Sequence, residues 1–301
     1  MAAGRDCIIP GQLSKAAAGD MHPRMTPLLF LLMRLLLMRR TAATRAEAQP
    51  FDRVAEDYHR LGELNRNERI GPWLEGLLPA AGGRALDLGC GSGQHAVLLA
   101  DRFEQVDAID LSRPMIELAR ARRPRPNITY WQADLHDVAG AGRYDFVLSV
   151  LTLHHVPDLH AALSHIKTLL APGGRVVVVD MYPPESALRA PQWILRRMVH
   201  RIVPLRPRLH ALALQKLGVG LVRGRPATAW EIYRLSTRRE WLDHRVTDRF
   251  FSHEELERSC EALFPCYRFE ILGGPRGIGL VWDAPPLPPD QILAHRDADR
   301  R

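Results

Sequence analysis

Arg84-Ala-Leu-Asp-Leu-Gly-Cys-Gly-Ser-Gly-Gln-His-Ala-Val-Leu-Leu-Ala100 is the stretch that decides the fold. Ala85, Leu86 and Leu88 form a short apolar run between Gly82-Gly83 and Gly89, the pattern of a buried strand. From Gln94 to Ala100 the spacing turns helical, and Gly89, Gly91 and Gly93 alternate at the turn between. Glycines at a strand-to-helix turn let the backbone come close to a ligand, because no Cβ stands in the way. Such a ligand lies beside amides at a helix N-terminus and at the carboxyl end of a strand. A tight turn with no ligand would use the same glycines.

The dinucleotide fingerprint is G-x-G-x-x-G. Here the pattern is Asp-x-Gly-x-Gly-x-Gly, with Asp87 on the strand just before the glycines. That carboxylate repels a pyrophosphate and attracts a cation. The residues resemble motif I of the class I S-adenosylmethionine (SAM) methyltransferases, whose ligand carries a sulfonium and an ammonium. The resemblance implies an α/β fold with a doubly wound, mostly parallel, seven-stranded Rossmann-like sheet and a helical lid insertion. It also implies SAM as cofactor, with Asp87, Gly89, Gly91 and Gly93 among its ligands.

The elements that follow arrive in the order this resemblance requires. Gln105 to Asp110 reads as strand two, ending in an acid about twenty residues past the glycines, where a carboxylate takes ribose hydroxyls. Ser112 and Pro114 begin a helix well, so this segment also reads as a cap, and both roles fit together. Asn127 to Trp131 is strand three. The Gln132-Ala-Asp-Leu135 after it resembles the family's adenine-binding motif, which implies Asp134 at the amino group with Ala133 and Leu135 beside the ring; Asp137 competes with Asp134. Arg143 to Val150 is strand four, with Asp145 matching an acid common near its start. His154 and His155 follow at its carboxyl end, as candidate general bases or as part of a structural string. A helix over Leu159 to Leu170 ends at Pro172-Gly-Gly174, and Arg175 to Asp180 is a buried fifth strand.

Before motif I, Phe51, Val54, Ala55, Tyr58 and Leu61 predict a helix over Phe51 to Asn65, which in the family closes over SAM. Tyr58 is a cofactor contact or a core aromatic. Arg69 to Leu78 is a second helix. Residues 1–50 read as a leader containing a short apolar helix. That run is too short to span a bilayer, and a signal peptide ending near Ala46-Glu-Ala48 is the alternative.

The α/β alternation stops at 183–250, the expected substrate lid, with helices predicted over Gln192–Arg201, Arg208–Val222 and Ala227–Asp243. Trp193, Trp230, Tyr233 and Trp241 either line an apolar or aromatic acceptor site or pack the lid's own core. The core, 51–182, resumes at 251–284 with a helix opened by Ser252-His-Glu-Glu255 and two last strands, Tyr267–Leu272 and Gly277–Trp282, expected antiparallel at the sheet edge. A proline-rich tail, 285–301, is expected to be mobile.

Composition bounds the rest. The 301 residues carry a formal charge of +7. Pro183 to Phe250 holds 14 Arg or Lys against 5 Asp or Glu, enough to account for the whole excess. That balance suits a solvated surface, an RNA partner, an acidic membrane or an anionic substrate. Four scattered cysteines with no C-x-x-C pair suggest no zinc site and a reduced, cytoplasmic setting. No metal site is expected.

A nucleic-acid methyltransferase acting on base amines would carry an Asn-Pro-Pro-Tyr-like string where this chain reads Leu-Thr-Leu-His-His. A non-catalytic SAM-binding subunit is the rival of different class. The expectation is a small-molecule methyltransferase of secondary or quinone-like metabolism. It acts on oxygen ahead of nitrogen or carbon, with possible self-association through the N-terminal helix.

Overall fold

Seven strands lie in the order β3-β2-β1-β4-β5-β7-β6. They are β1 (Gly82–Leu88), β2 (Phe103–Asp110), β3 (Ile128–Gln132), β4 (Tyr144–Val150), β5 (Leu170–Met181), β6 (Arg268–Ile271) and β7 (Gly277–Asp283). This computed structural model describes residues 49–64, 70–140, 142–181, 205–246, 251, 253–272 and 277–286. The expected leader and tail fall almost wholly outside them, as do the helix expected at Gln192–Arg201 and Ser252.

The first five strands pair in parallel, with β1 between β2 and β4. The two last strands lie together at one edge of the sheet, antiparallel to each other, as expected, with β6 outermost and β7 inside it. Strand β7 slots between β5 and β6, so it alone runs against the sheet. The central strands are apolar on both faces because helices cover both sides. Val176, Val177 and Val179 are fully buried, with Leu86 and Val147 on one side and Ala85, Phe146 and Leu148 on the other.

The helices are α1 (Gln49–Asp52), α2 (Ala55–Leu64), α3 (Ile70–Glu75), α4 (Gln94–Ala100), α5 (Arg113–Arg122), α6 (Leu159–Leu169), α7 (Leu205–Val222), α8 (Pro226–Ser236), α9 (Arg239–Val246) and α10 (His253–Leu263). Two expected helices are broken. Phe51 to Asn65 splits at Arg53-Val54, where the Asp52 carboxylate is drawn to Ser112 Oγ at 2.6 Å and the Val54 amide bonds back to Phe51 O. Ala227 to Asp243 splits at Thr237, whose hydroxyl and amide both donate to Tyr233 O. A side-chain hydroxyl bonding back to the preceding turn competes with helix continuation.

Asp145 has a structural task. Its Oδ2 accepts from the Gly83 and Arg84 amides at 3.0 and 2.8 Å, fastening the entry of β1 to β4. All five parallel strands therefore end in register along one edge, and the carboxyl ends of β1, β2, β4 and β5 stand side by side.

Candidate active site at the carboxyl edge of the sheet

The turn after β1 is left-handed at three glycines: Gly89 (φ 69), Gly91 (φ 52) and Gly93 (φ 82). They are not equivalent. A Cβ on Gly89 would lie 2.2 Å from Thr152 Oγ1, and one on Gly93 2.7 Å from the Tyr130 hydroxyl. A Cβ on Gly91 would meet nothing within 4 Å. Two glycines thus permit close packing, and the middle one borders open space. Three amides of this turn are paired within the protein. Cys90 N donates to Ile109 O, Gly93 N to Cys90 O and Gly91 N to Asp110 Oδ2, so the turn spends these amides on itself and on β2.

Two carboxyls stand behind the turn. Asp87 is 1 % exposed, and its Oδ2 has no hydrogen-bond partner among the described residues. Burial, reinforced by the Asp110 charge and opposed by a bond from the Ala96 amide, pushes its pKa up to about 7. Asp110 accepts from Gly91 N at 2.8 Å and Ser112 N at 2.9 Å, yet burial still outweighs both amides and lifts it to about 6. Two buried acids with one orphaned oxygen make an environment that a cation would relieve. Asp110 and Ser112 also fill the second expected role together, because Ser112 Oγ accepts from Met115 N as the cap of α5.

The β3 residues join the same edge. Ala133 N donates to Asp110 O at 3.1 Å. Asp134 caps the short 3-10 turn Leu135–Asp137 by accepting from His136 N at 2.9 Å. Ala133 and Leu135 are partly buried against the core. The structure therefore brings Asp87, the three glycines, Asp110, Ala133, Asp134 and Leu135 to three adjacent strand ends.

The histidines sit one strand over. Thr152, whose hydroxyl donates to Leu88 O at 3.2 Å, starts the 3-10 turn Leu153–His155. His154 is 2 % exposed, with Nδ1 2.7 Å from Asp180 Oδ1, and its amide donates to Asp180 Oδ2 at 3.2 Å. A carboxylate on Nδ1 fixes the imidazole tautomer and leaves Nε2 as the basic nitrogen. His155 stacks on His154 at 3.8 Å between ring centroids and meets the edge of Phe51 at 4.7 Å. Above them, buried His244 of α9 touches Phe51 at 4.5 Å, His155 at 5.6 Å and Trp241 at 5.6 Å. Tyr58 faces Trp241 at 5.9 Å, so it belongs to this aromatic wall.

A clamp holds α2 over the glycine turn. Arg123 donates to Ser92 O at 2.8 Å and to Glu63 Oε1 at 2.6 Å, and the His59 ring lies 3.0 Å from Ser92 Oγ. Burial, then the Arg123 charge, lowers the His59 pKa, favouring the neutral ring that can share this cluster. Arg60 with Glu231 and Arg238 with Asp57 tie α2 to the helical segment 205–246.

Sequence reasoning did not find Thr152, Asp180 as a partner of His154, Arg123 or His244. Asp180 had a usable signal: it ends strand five on the edge where strand four delivers His154. His244 had none, because 89 residues separate it from His155.

Comparison with known proteins agrees with this geometry. Residues 86–178 match the family model described as a methyltransferase domain. An uncharacterized methyltransferase of Mycobacterium tuberculosis is 34% identical over 137 residues, 45% of this chain and 68% of that protein. A 2-phytyl-1,4-naphtoquinone methyltransferase of a Nostoc species is 30% identical over 173 residues, 53% of this chain and 74% of the other. A ubiquinone biosynthesis O-methyltransferase of Albidiferax ferrireducens is 33% identical over 144 residues, covering 44% of this chain and 57% of that one. The fold matches that of magnesium protoporphyrin IX methyltransferase from Synechocystis, with TM-score 0.51, 14% identity and coverage of 79% and 97%. The chain belongs to the class I S-adenosylmethionine-dependent methyltransferases. It is an enzyme of that family, with SAM as its methyl donor.

Proposed function

We propose that this enzyme transfers the methyl group to an oxygen of a small apolar or aromatic metabolite, of quinone-like or other secondary metabolism. The observation that carries the reading is the buried His154–Asp180 pair, 2.7 Å apart, at the carboxyl ends of β4 and β5, with β4 next to the strand that leads into the glycine turn. SAM supplies an electrophilic methyl on a sulfonium, which leaves as a thioether. A hydroxyl of high pKa must lose its proton to become a competent nucleophile, and a positioned imidazole typically contributes ~100- to 10,000-fold.

In this reading Asp180 orients His154, whose Nε2 takes the hydroxyl proton, with His155 beside it. Asp87 holds the cationic amino-acid end of the donor through the oxygen that has no protein partner. Gly91 leaves room for the donor's chain, with Gly89 and Gly93 shaping the turn around it. Asp110 takes the ribose hydroxyls, and Ala133, Asp134 and Leu135 the adenine. Helices within 183–250 act as the lid, bringing Trp241 and His244 against Phe51 and Tyr58 to exclude water and wall the acceptor. The names of the quinone-pathway relatives support this acceptor class. The reaction belongs in the cytoplasm, where the donor is made.

The test is turnover of SAM with a panel of hydroquinones and phenols, read as S-adenosylhomocysteine formed and as the site of methylation by mass spectrometry and NMR. A methyl ether whose formation falls at least about 100-fold in Asp180→Asn, with donor affinity kept, supports the reading. A methyl on carbon or nitrogen, or full turnover in His154→Ala and His155→Ala alike, overturns it.

A further inference from the structure

Residues 186–230 contain nine Arg or Lys and no Asp or Glu. That charge exceeds the +7 of the whole chain. The described part of this stretch ends in a rigid hairpin. Helix α7 closes with Arg223 N donating to Val219 O, Gly224 N to Leu221 O and Arg225 N to Gly220 O, all at 3.0 Å, and Gly224 takes φ 69. Gly220 lets α8 cross closely, since a Cβ there would lie 2.3 Å from Ala229 Cβ.

Among the described residues the exposed large apolar side chains gather on this hairpin. Every residue from Leu221 to Ala227 is exposed, with Leu221 at 52% and Val222 at 90%. Leu214, two turns back along the same side of α7, is 54% exposed, and Trp230 on α8 is 57% exposed. Helix α7 buries Leu209 and Ala213 against the protein yet carries apolar side chains on its outer side too. Exposed apolar side chains gathered on one side of a surface helix mark an interaction surface. Arg223 and Arg225 flank the exposed tip. The first acid beyond the stretch, Glu231, is already paired with Arg60 at 2.7 Å.

We propose that this α7–α8 tip docks the enzyme on an anionic lipid surface. Leu221 and Val222 enter the headgroup layer, Arg223 and Arg225 meet lipid phosphates, and Trp230 offers an interfacial ring. RNA is the weaker partner, because phosphates reward the arginines but not an exposed leucine and valine. A second copy presenting the same tip would set like charge against like. Among the described residues no helix is long and apolar enough to cross a membrane, so the attachment is peripheral.

The inference does not rest on the oxygen-acceptor reading. Flotation of the full chain with vesicles tests it, comparing phosphatidylcholine alone with phosphatidylcholine plus phosphatidylglycerol. The expected result is binding to the anionic vesicles only, weakened by salt. Arg223→Gln and Arg225→Gln should each weaken it about fivefold. Leu221→Glu/Val222→Glu should weaken it more than tenfold while melting temperature and SAM affinity stay at wild-type values. Three outcomes overturn the proposal: no flotation of the wild type, equal flotation of the Leu221→Glu/Val222→Glu variant, or RNA binding that survives that variant while vesicles are ignored. A concentration-dependent dimer abolished by the same variant, with no flotation, also overturns it.

Discussion

The two halves of the candidate site are built by opposite means. The donor half rests on local backbone geometry: three left-handed glycines, amides paired within the turn and to β2, and two carboxyls carried at the ends of β1 and β2. The acceptor half is made of side chains from distant segments, with Phe51 and Tyr58 from the first helices and Trp241 and His244 from α9, meeting over His155. A backbone site has few sequence solutions, whereas an aromatic wall has many. The donor half can therefore be common to many methyltransferases while the acceptor half sets what each one acts on.

That contrast can be broken experimentally. The largest effect is expected on turnover alone. Asp180→Asn should cut kcat by ~100- to 10,000-fold with SAM affinity unchanged, because it disturbs the His154 tautomer and touches no donor-side group. A calorimetric titration with SAM beside a turnover assay checks the split. Next comes the reverse case: Asp87→Asn should weaken SAM binding by roughly 100-fold, from loss of a buried charge-assisted contact.

The same substitution should raise the melting temperature of the ligand-free protein at pH 8. The sign follows from linkage. The folded pKa of Asp87, about 7, lies above the ordinary carboxyl value of 3.8. The folded state holds the proton more tightly there, so this group's contribution to stability is full below pH 4 and is lost as pH rises towards 7. Asn carries no such loss, and a scanning calorimetry trace at pH 8 reads the difference.

Within the glycine turn the contrast becomes local. Gly89→Ala collides with Thr152 and should cost about 2–4 kcal/mol of stability, read by urea unfolding. Gly91→Ala meets open space and bears only the left-handed strain of ~1–2 kcal/mol, but should weaken SAM measurably. Equal stability losses at both positions would erase the distinction between packing and ligand-facing glycines. The smallest effect belongs to the wall: Trp241→Ala should raise the acceptor KM about tenfold with little change in SAM affinity.

What was legible in the sequence follows the same division. Asp87, the glycines, Asp110 and the residues after β3 are local to strand ends, and their spacing together with the resemblance to the family's motifs placed them on one edge. The mostly parallel, doubly wound sheet came with the resemblance, while its strand order and register came only from the structure. The β7 insertion was not legible, since nothing in Gly277 to Trp282 distinguishes an inner strand from an edge strand. The helix breaks at Arg53-Val54 and Thr237 depend on single hydrogen bonds, to Ser112 and to Tyr233 O. His244 and Arg123 act on residues 89 and 64 positions away, His155 and His59, which no period reports. Two of the paired turn amides, Cys90 N and Gly91 N, were invisible because their acceptors, Ile109 and Asp110, lie on β2.

The central claim is that the buried Asp87 carboxyl, with one oxygen unmatched among the described residues, takes the cationic donor. Its most direct test is SAM affinity measured calorimetrically from pH 5.5 to 7.5, in wild type and Asp87→Asn. The account predicts that wild-type binding strengthens about tenfold or more across this range and releases protons, as Asp87 ionises on the ligand, while the variant binds weakly with a shallower profile that keeps only the contribution of Asp110. The same pH dependence in both proteins, or wild-type affinity in the variant, would contradict it.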